Sequence, residues 1–149
     1  RLLAEDPGAW RVVKIPAVGT TDTKILRNAV DPSVIGNKTP RTVPWSANLG
    51  FQYDTRVTDT VDLLTRVDYQ HRSRKYWEAS NDFFQEPVDM VDVRLGFQTD
   101  SWSVFGFARN VLDEQQFVEF FPPSTTGSTQ TIAALGQPAT YGIELRYKF

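Results

Sequence analysis

From about residue 45 onward, apolar and polar side chains alternate in runs separated by polar stretches rich in Gly, Pro, Ser and Thr. A strand sends successive side chains to opposite faces, so this period predicts β-structure. Helical periodicity is weak throughout. Ala47, Leu49, Phe51 and Tyr53 alternate with Asn48, Gly50 and Gln52. Val61, Leu63, Thr65, Val67 and Tyr69 alternate with Asp62, Leu64, Arg66, Asp68 and Gln70, with Leu64 alone out of phase. Val91, Val93, Leu95 and Phe97 alternate with Asp92, Arg94, Gly96 and Gln98. The last run is the clearest. Tyr141, Ile143, Leu145, Tyr147 and Phe149 share one face, and Gly142, Glu144, Arg146 and Lys148 share the other. Trp102 to Leu112 is less regular. It is assigned with Phe105 and Phe107 on the apolar face and Gly106, Ala108 and Asn110 on the polar one. That phase leaves Arg109 on the apolar side, where it must snorkel.

The pattern predicts five strands, at 41–53, 60–72, 88–98, 102–112 and 140–149. Their connections alternate in length. Asp54–Asp59 and Thr99–Ser101 are tight and polar, whereas 73–87 and 113–139 are long. A meander with tight turns at one end and long loops at the other is how outer-membrane barrels are built. Aromatic residues fall in two bands. Tyr53, Trp102, Tyr147 and Phe149 lie at the tight-turn ends, and Trp45, Tyr76, Trp77 and Tyr141 at or near the long-loop ends. Such bands resemble interface girdles. Residues 1–40 are punctuated by Asp6-Pro7-Gly8, Pro16, Gly19, Asp31-Pro32 and Gly36-Asn37, and read mostly as loop. Trp10 to Ile15 is the one stretch there with strand character.

Composition narrows the function classes. A net charge of -2 gives no argument for nucleic acid, which wants a basic surface. With no cysteine and one histidine, a disulfide framework and a Cys/His metal site are excluded. No run of ~18 apolar residues marks a transmembrane helix, but a transmembrane strand needs only ~9–11 residues, half of them polar. The chain starts on Arg1 with no signal peptide before it, which fits a mature or truncated exported protein. No catalytic constellation is found. His71 falls on the apolar phase near a long-loop end, the glycines form no phosphate cradle, and the Ser/Thr run at 124–131 has no base beside it. Neither a cofactor nor a metal site is expected.

The motifs and their order resemble the carboxy-terminal end of TonB-dependent outer-membrane receptors. Asn110-Val-Leu-Asp-Glu114 closes one strand; after a long loop, Gly136-Gln-Pro-Ala-Thr-Tyr-Gly142 leads into the last, which ends in Tyr-Lys-Phe149. Val111-Leu112 departs from the family's more usual Leu and small polar residue. Upstream, Gly36-Asn-Lys-Thr-Pro40 and Val43-Pro-Trp-Ser-Ala-Asn-Leu-Gly50 are similar to a segment leading into an earlier strand of that family. The resemblance covers residues 36–149. It implies an all-β antiparallel meander, about five C-terminal strands of a plugged barrel of about 22 strands. The plug and the segment that contacts TonB would lie upstream.

The same resemblance implies active uptake of a nutrient such as a siderophore or a carbohydrate, with no enzymatic step. The expected partners are outer-membrane lipid and lipopolysaccharide, the TonB complex, the barrel-assembly machinery and a small-molecule nutrient. Thr140, Gly142, Leu145, Tyr147 and Phe149 resemble the signal read by that assembly machinery. Tyr76, Trp77, Phe117, Phe120 and Phe121 are candidate ligand-contacting loop residues, since exposed aromatic rings stack on chelates and sugars. Asp62, Arg66, Asp68, Gln70, Arg72, Asp92, Arg94, Gln98, Glu144, Arg146 and Lys148 mix both signs on the inner face and would pair with one another and with a plug. A passive porin-like barrel and a soluble all-β carbohydrate-binding module remain as alternative readings.

Overall fold

Alternating sequence becomes a sheet only when neighbouring strands keep register, and here six do. A computed structural model describes residues 11–127 and 129–149. The strands are β1 (Arg11–Thr20), β2 (Trp45–Thr58), β3 (Val61–Arg72), β4 (Lys75–Tyr76), β5 (Phe84–Gln85), β6 (Val88–Gln98), β7 (Trp102–Arg109), β8 (Phe117–Phe121), β9 (Ile132–Leu135) and β10 (Thr140–Tyr147). The main sheet runs β1-β2-β3-β6-β7-β10, antiparallel at every step. The short pairs β4-β5 and β8-β9 form hairpins inside the two long connections. A 3-10 turn at Pro32–Val34 and one helical turn, α1 (Pro123–Thr126), complete the elements.

Strand β1 continues past Ile15 to Thr20, through a proline and a glycine that read as loop punctuation; Trp10 and Asp6-Pro7-Gly8 lie outside the described residues. Hydrogen-bond parity explains why Pro16 is tolerated. The Thr21 amide donates to the Pro44 carbonyl at 2.7 Å, which makes Gly19, Ala17, Ile15 and Val13 the residues that exchange bonds with β2. Pro16 then turns its nitrogen away from β2, the position at which a sheet accepts proline.

Register places side chains in rows. On one face, Val12, Tyr53, Thr65, Leu95, Gly106 and Ile143 form a row; Lys14, Phe51, Val67, Val93, Ala108 and Tyr141 form the next. Apart from Lys14 and Thr65 these two rows are apolar or aromatic. On the other face lie Gln52, Arg66 and Arg94, then Asp54 and Glu144, with Asp68 and Asp92 one row further. The exposure of the apolar face decides what kind of sheet this is. Tyr141, Ile143, Leu145 and Tyr147 are 68%, 75%, 73% and 62% exposed. The apolar side chains buried among the described residues are Val34, Trp77, Val88, Phe105 and Pro122, and none of them lies on that face. A soluble sandwich would bury it, because each Leu- or Phe-sized side chain gains about 1.5–3 kcal/mol on burial.

The phase assigned from sequence to β7 is corrected by the structure. Val104, Gly106 and Ala108 stand on the apolar face, and Phe105 and Phe107 on the polar one. Each ring covers a glycine on the neighbouring strand. Phe105 is paired with Gly96 and Phe107 with Gly142. A Cβ at Gly96 would stand 2.5 Å from the Phe105 ring, and one at Gly142 2.5 Å from the Phe107 ring. Each ring also holds a cation, with the Arg94 guanidinium 4.2 Å from the Phe105 centroid and that of Arg109 5.2 Å from the Phe107 centroid. Arg109 therefore lies on the polar face and has no need to snorkel. Leu64, the out-of-phase residue of β3, shares the row of Gly96 and Phe105, so it meets apolar neighbours there.

Two substitutions separate the assignments. Gly96→Val drives a side chain into Phe105 and the Val104 carbonyl and is expected to cost at least ~1–3 kcal/mol. Gly106→Val, where a Cβ meets nothing closer than the Leu95 carbonyl at 3.8 Å, is expected to be near neutral. Urea midpoints of the intact protein compare them; equal shifts would return Phe105 to the apolar face.

Candidate functional site

Antiparallel parity puts the three long connections, 21–44, 73–87 and 110–139, at one end of the sheet and the tight turns at the other. The long connections are locked to one another by asparagines. Asn37 Nδ2 donates to the carbonyls of Ala79 (2.9 Å) and Ser80 (3.0 Å). Asn81 accepts from the Lys38 amide (2.9 Å) and donates to the carbonyls of Lys38 and Glu78 (both 3.0 Å). Gly36, at φ 94°, makes the turn that presents Asn37, in a conformation other residue types rarely adopt. The Ser124 hydroxyl donates to the Glu78 carboxylate and brings the third connection in.

A second clasp accounts for the Asn110-Val-Leu-Asp113 motif. Asn110 is 5% exposed and left-handed, at φ 48°. Its side chain accepts from the Glu114 amide (3.0 Å) and donates to the carbonyls of Glu114 (3.0 Å) and Gln137 (3.1 Å). Its own amide donates to Asp92 Oδ1 at 2.9 Å. Asp113, also left-handed at φ 51°, accepts from the Ala139 amide at 2.8 Å. The two residues close the base of the 113–139 loop and aim Thr140 into β10.

Of the five candidate ligand-contacting aromatics, the structure groups three. Phe120 packs on Trp77 (centroids 5.7 Å apart) and on Phe117 (5.5 Å). Phe83 joins at 5.6 Å from Phe120. Phe121 sits beside this cluster, with the Arg41 guanidinium 5.3 Å from its centroid. Tyr76 stands apart, against Phe84 (6.0 Å). Alternation along β4 separates them, since Tyr76 and Trp77 point opposite ways. Trp77 is buried, and its indole N–H has no acceptor among the described residues.

Charge surrounds the cluster in a way the sequence pattern did not expose. Lys75 Nζ lies 3.9 Å from the Trp77 centroid. Burial foremost, then the charge of Arg72, holds its ammonium below the usual lysine range; Glu119 opposes this and Arg41 adds to it. Arg41 Nη1 is 3.2 Å from Glu119 Oε2, an ion pair without good hydrogen-bond alignment. Arg72 donates to Gln70 (3.1 and 2.6 Å) and Gln116 (3.3 Å), both neutral acceptors. The missed signal was register: only the pairing of Lys75 with Gln85 shows which way Lys75 points.

The remaining expected residues lie elsewhere. Thr140 opens β10 opposite Arg109, Gly142 lies beneath Phe107, and Leu145 and Tyr147 stand bare on the apolar face. Phe149 packs edge-on to Tyr147 at 5.1 Å. His71, on the apolar face at the loop end, stacks on Trp45 (4.3 Å) and bonds Asp89 (2.7 Å), which also accepts from the Tyr69 hydroxyl (2.6 Å). Among the described residues no three of His, Cys, Asp and Glu meet as a metal site.

No family model matches the chain. Its fold is similar to that of the ferric yersiniabactin uptake receptor FyuA from Yersinia pestis, with a TM-score of 0.67 and 20% identity over 78% of this chain. The chain spans 18% of that receptor's length. What the two share at this identity is the fold. The chain is all-β, an antiparallel meander matching a stretch of β-barrel wall, and a 22-stranded barrel is consistent with this neighbour.

Asn110→Ala removes three bonds at a buried point, at ~1–3 kcal/mol for the groups left unpaired. Limited proteolysis of the intact protein is expected to cut within 113–139 about tenfold faster or more, with the sheet unchanged. Cleavage at the parent rate would remove Asn110 as the clasp.

Proposed function

We propose that this chain is the carboxy-terminal part of the barrel wall of a TonB-dependent receptor in the bacterial outer membrane, a transporter with no catalytic step. The observation that carries this reading is the bare apolar face, opposite a face of mixed charge. A bilayer supplies the missing cover, and a closed barrel satisfies the strand edges that lipid cannot. Strands β1, β2, β3 and β6, of 10 to 14 residues, reach the ~9–11 residues that a crossing takes, and β7 and β10, of 8 residues each, come close to it. Trp45 and Tyr69 near the loop end, with Trp102 and Tyr147 near the turn end, fit interface girdles. The locked loops would then face outward, and the tight turns the periplasm.

FyuA, with which the fold is shared, is an uptake receptor for a ferric chelate. By analogy the intact protein imports a scarce nutrient, a siderophore or a carbohydrate, captured at the loop cap near Tyr76, Trp77, Phe117, Phe120 and Phe121. TonB would engage an upstream segment. Lipopolysaccharide would meet the outer belt, where His71 and Trp45 stack. The assembly machinery would read Thr140, Gly142, Leu145, Tyr147 and Phe149 from the last strand.

Fractionation of cells producing the intact protein is expected to place it in the detergent-resistant outer membrane. Uptake is expected to disappear when TonB is deleted. A detergent-free, cooperative soluble monomer would defeat the reading. Leu145→Arg sets a charge on the face assigned to lipid, one position inside the turn-end girdle, at a cost between the ~0–1 kcal/mol of the interface and the ~2–4 kcal/mol of mid-bilayer. The yield of heat-modifiable barrel in the outer membrane should fall sharply, and normal assembly of this variant would sink the assignment of that face.

A further inference from the structure

We propose that Arg41, Arg72 and Lys75 form an anion site on the inner side of the loop cap, so that the captured nutrient is an oxygen-rich anion bearing carboxylate, catecholate or phosphate groups rather than a neutral sugar. The inference deepens the uptake reading and rests on it.

Charge at this site is unbalanced. Three cations meet a single carboxylate, Glu119, which lies 3.2 Å from Arg41. Among the described residues, neither Arg72 nor Lys75 has a carboxylate within ion-pair distance. All the Arg72 bonds go to the side-chain carbonyls of Gln70 and Gln116, which satisfy its N–H groups and leave its charge uncompensated. Lys75 rests on the face of Trp77, a partner that attracts a cation without neutralising it. A half-buried ammonium that lacks a counterion is costly, and its own depressed pKa registers that cost.

The groups converge from three connections. Arg41 belongs to the first and Lys75 to the second, and the Arg41 amide donates to the Tyr76 carbonyl at 2.7 Å, which ties the two together. Glu119 and Gln116 belong to the third. Arg72, the last residue of β3, shares a row with Ser46 and Val88 on the polar face. The site therefore looks toward the face that would line a lumen, away from lipid and its headgroup phosphates. Two guanidinium groups can each grip a carboxylate or phosphate in bidentate fashion, and the ammonium adds a point charge.

Lys75 labelling provides the test. The intact receptor in detergent is treated with an amine-reactive ester, and acylation of each lysine is followed by peptide mass spectrometry. Citrate and pyrophosphate serve as anionic probes, maltoheptaose as the neutral one, and exposed Lys24 as the internal control. Citrate or pyrophosphate should slow Lys75 labelling without affecting Lys24, and maltoheptaose should do nothing. Arg72→Gln and Arg41→Gln should each weaken anion protection about tenfold, the loss of one charged hydrogen bond. Lys75→Arg should keep anion binding as followed by calorimetry, with Lys75→Met losing about tenfold; this pair serves if an arginine variant fails to fold.

Protection by maltoheptaose alone, or labelling indifferent to both anions, would overturn the site. So would a Lys75 that cannot be labelled in the parent receptor but reacts once upstream carboxylates are neutralised, since the counterion would then be the protein's own. The two readings fail separately. Absence from the outer membrane sinks the uptake reading and leaves the labelling result standing. Anion-indifferent labelling in a receptor that still transports sinks the anion site alone.

Discussion

Side chains alternate along a strand with a period of two, so a sheet keeps two chemically distinct faces only while every strand holds its register. A slip of one residue in β7 would send Phe105 and Phe107 to the apolar face and Val104, Gly106 and Ala108 to the charged one. What resists that slip is steric. Gly96 and Gly142 leave hollows that the two rings fill, and a Cβ at either position would overlap its ring. Glycine in a strand interior is a weakness taken alone. Here each glycine is covered by an aromatic ring on the adjacent strand, and the guanidinium groups of Arg94 and Arg109 pack on those rings. Sheet register, face chemistry and the aim of the polar-face charges all depend on those two sockets.

The polar face solves an electrostatic problem that register creates. Strict pairing places Arg66 opposite Arg94 and Asp68 opposite Asp92, like against like. Like charges directly opposite are unfavourable. The side chains evade this by turning along and across the strands. Arg66 forks onto Asp68 at 2.6 and 2.8 Å, two residues away on its own strand. Arg94 reaches Glu144, at 3.3 Å, which also takes Arg146 at 3.2 Å. Asp92 accepts the Asn110 amide instead of a cation, which couples the polar face to the base of the 113–139 loop. These pairs are all partly exposed, so their worth lies in orientation more than in stability.

The strands with clean alternation were legible because period two is a direct print of a sheet face. Strand β7 was misread for the opposite reason. Val104, Phe105, Gly106, Phe107 and Ala108 are all apolar or small, so no alternation exists to fix the phase, and the deciding glycines lie on other strands. In β1 the difficulty was Pro16, whose fit depends on which edge its nitrogen faces, a property of pairing and not of sequence. The Asn110–Asp113 and Gly36–Asn37 motifs could be seen as signatures but not explained. Their partners lie 27 and 42 positions away, across loops whose path no local pattern encodes. The aromatic residues of the cap were visible as exposed-loop candidates, and their mutual packing was not. Of the cations around them Arg72 was visible only as one of many inner-face charges, and Arg41 and Lys75 escaped notice, because each is an ordinary loop or strand-end charge until the three connections are closed together.

The two edges of the sheet are chemically unequal, and this follows from the same parity that admits Pro16. The Lys148 amide donates to the Ser101 carbonyl at 2.8 Å, so Glu144 and Arg146 bond inward to β7. Tyr141, Ile143, Leu145 and Tyr147 then turn both their N–H and C=O groups to the free edge, with their side chains on the apolar face. A strand laid there finds an unbroken ladder with no proline in it. Along β1 the free edge belongs to Val12, Lys14, Pro16, Val18 and Thr20. One donor is missing at Pro16, and an ammonium stands two residues away on the apolar face. Proline and lysine are the residues with which sheets blunt an edge against uncontrolled pairing. Edge-to-edge growth of this sheet is therefore favoured at β10, and a neighbour for β1 must supply an acceptor for Lys14 and leave one carbonyl to be satisfied by other means.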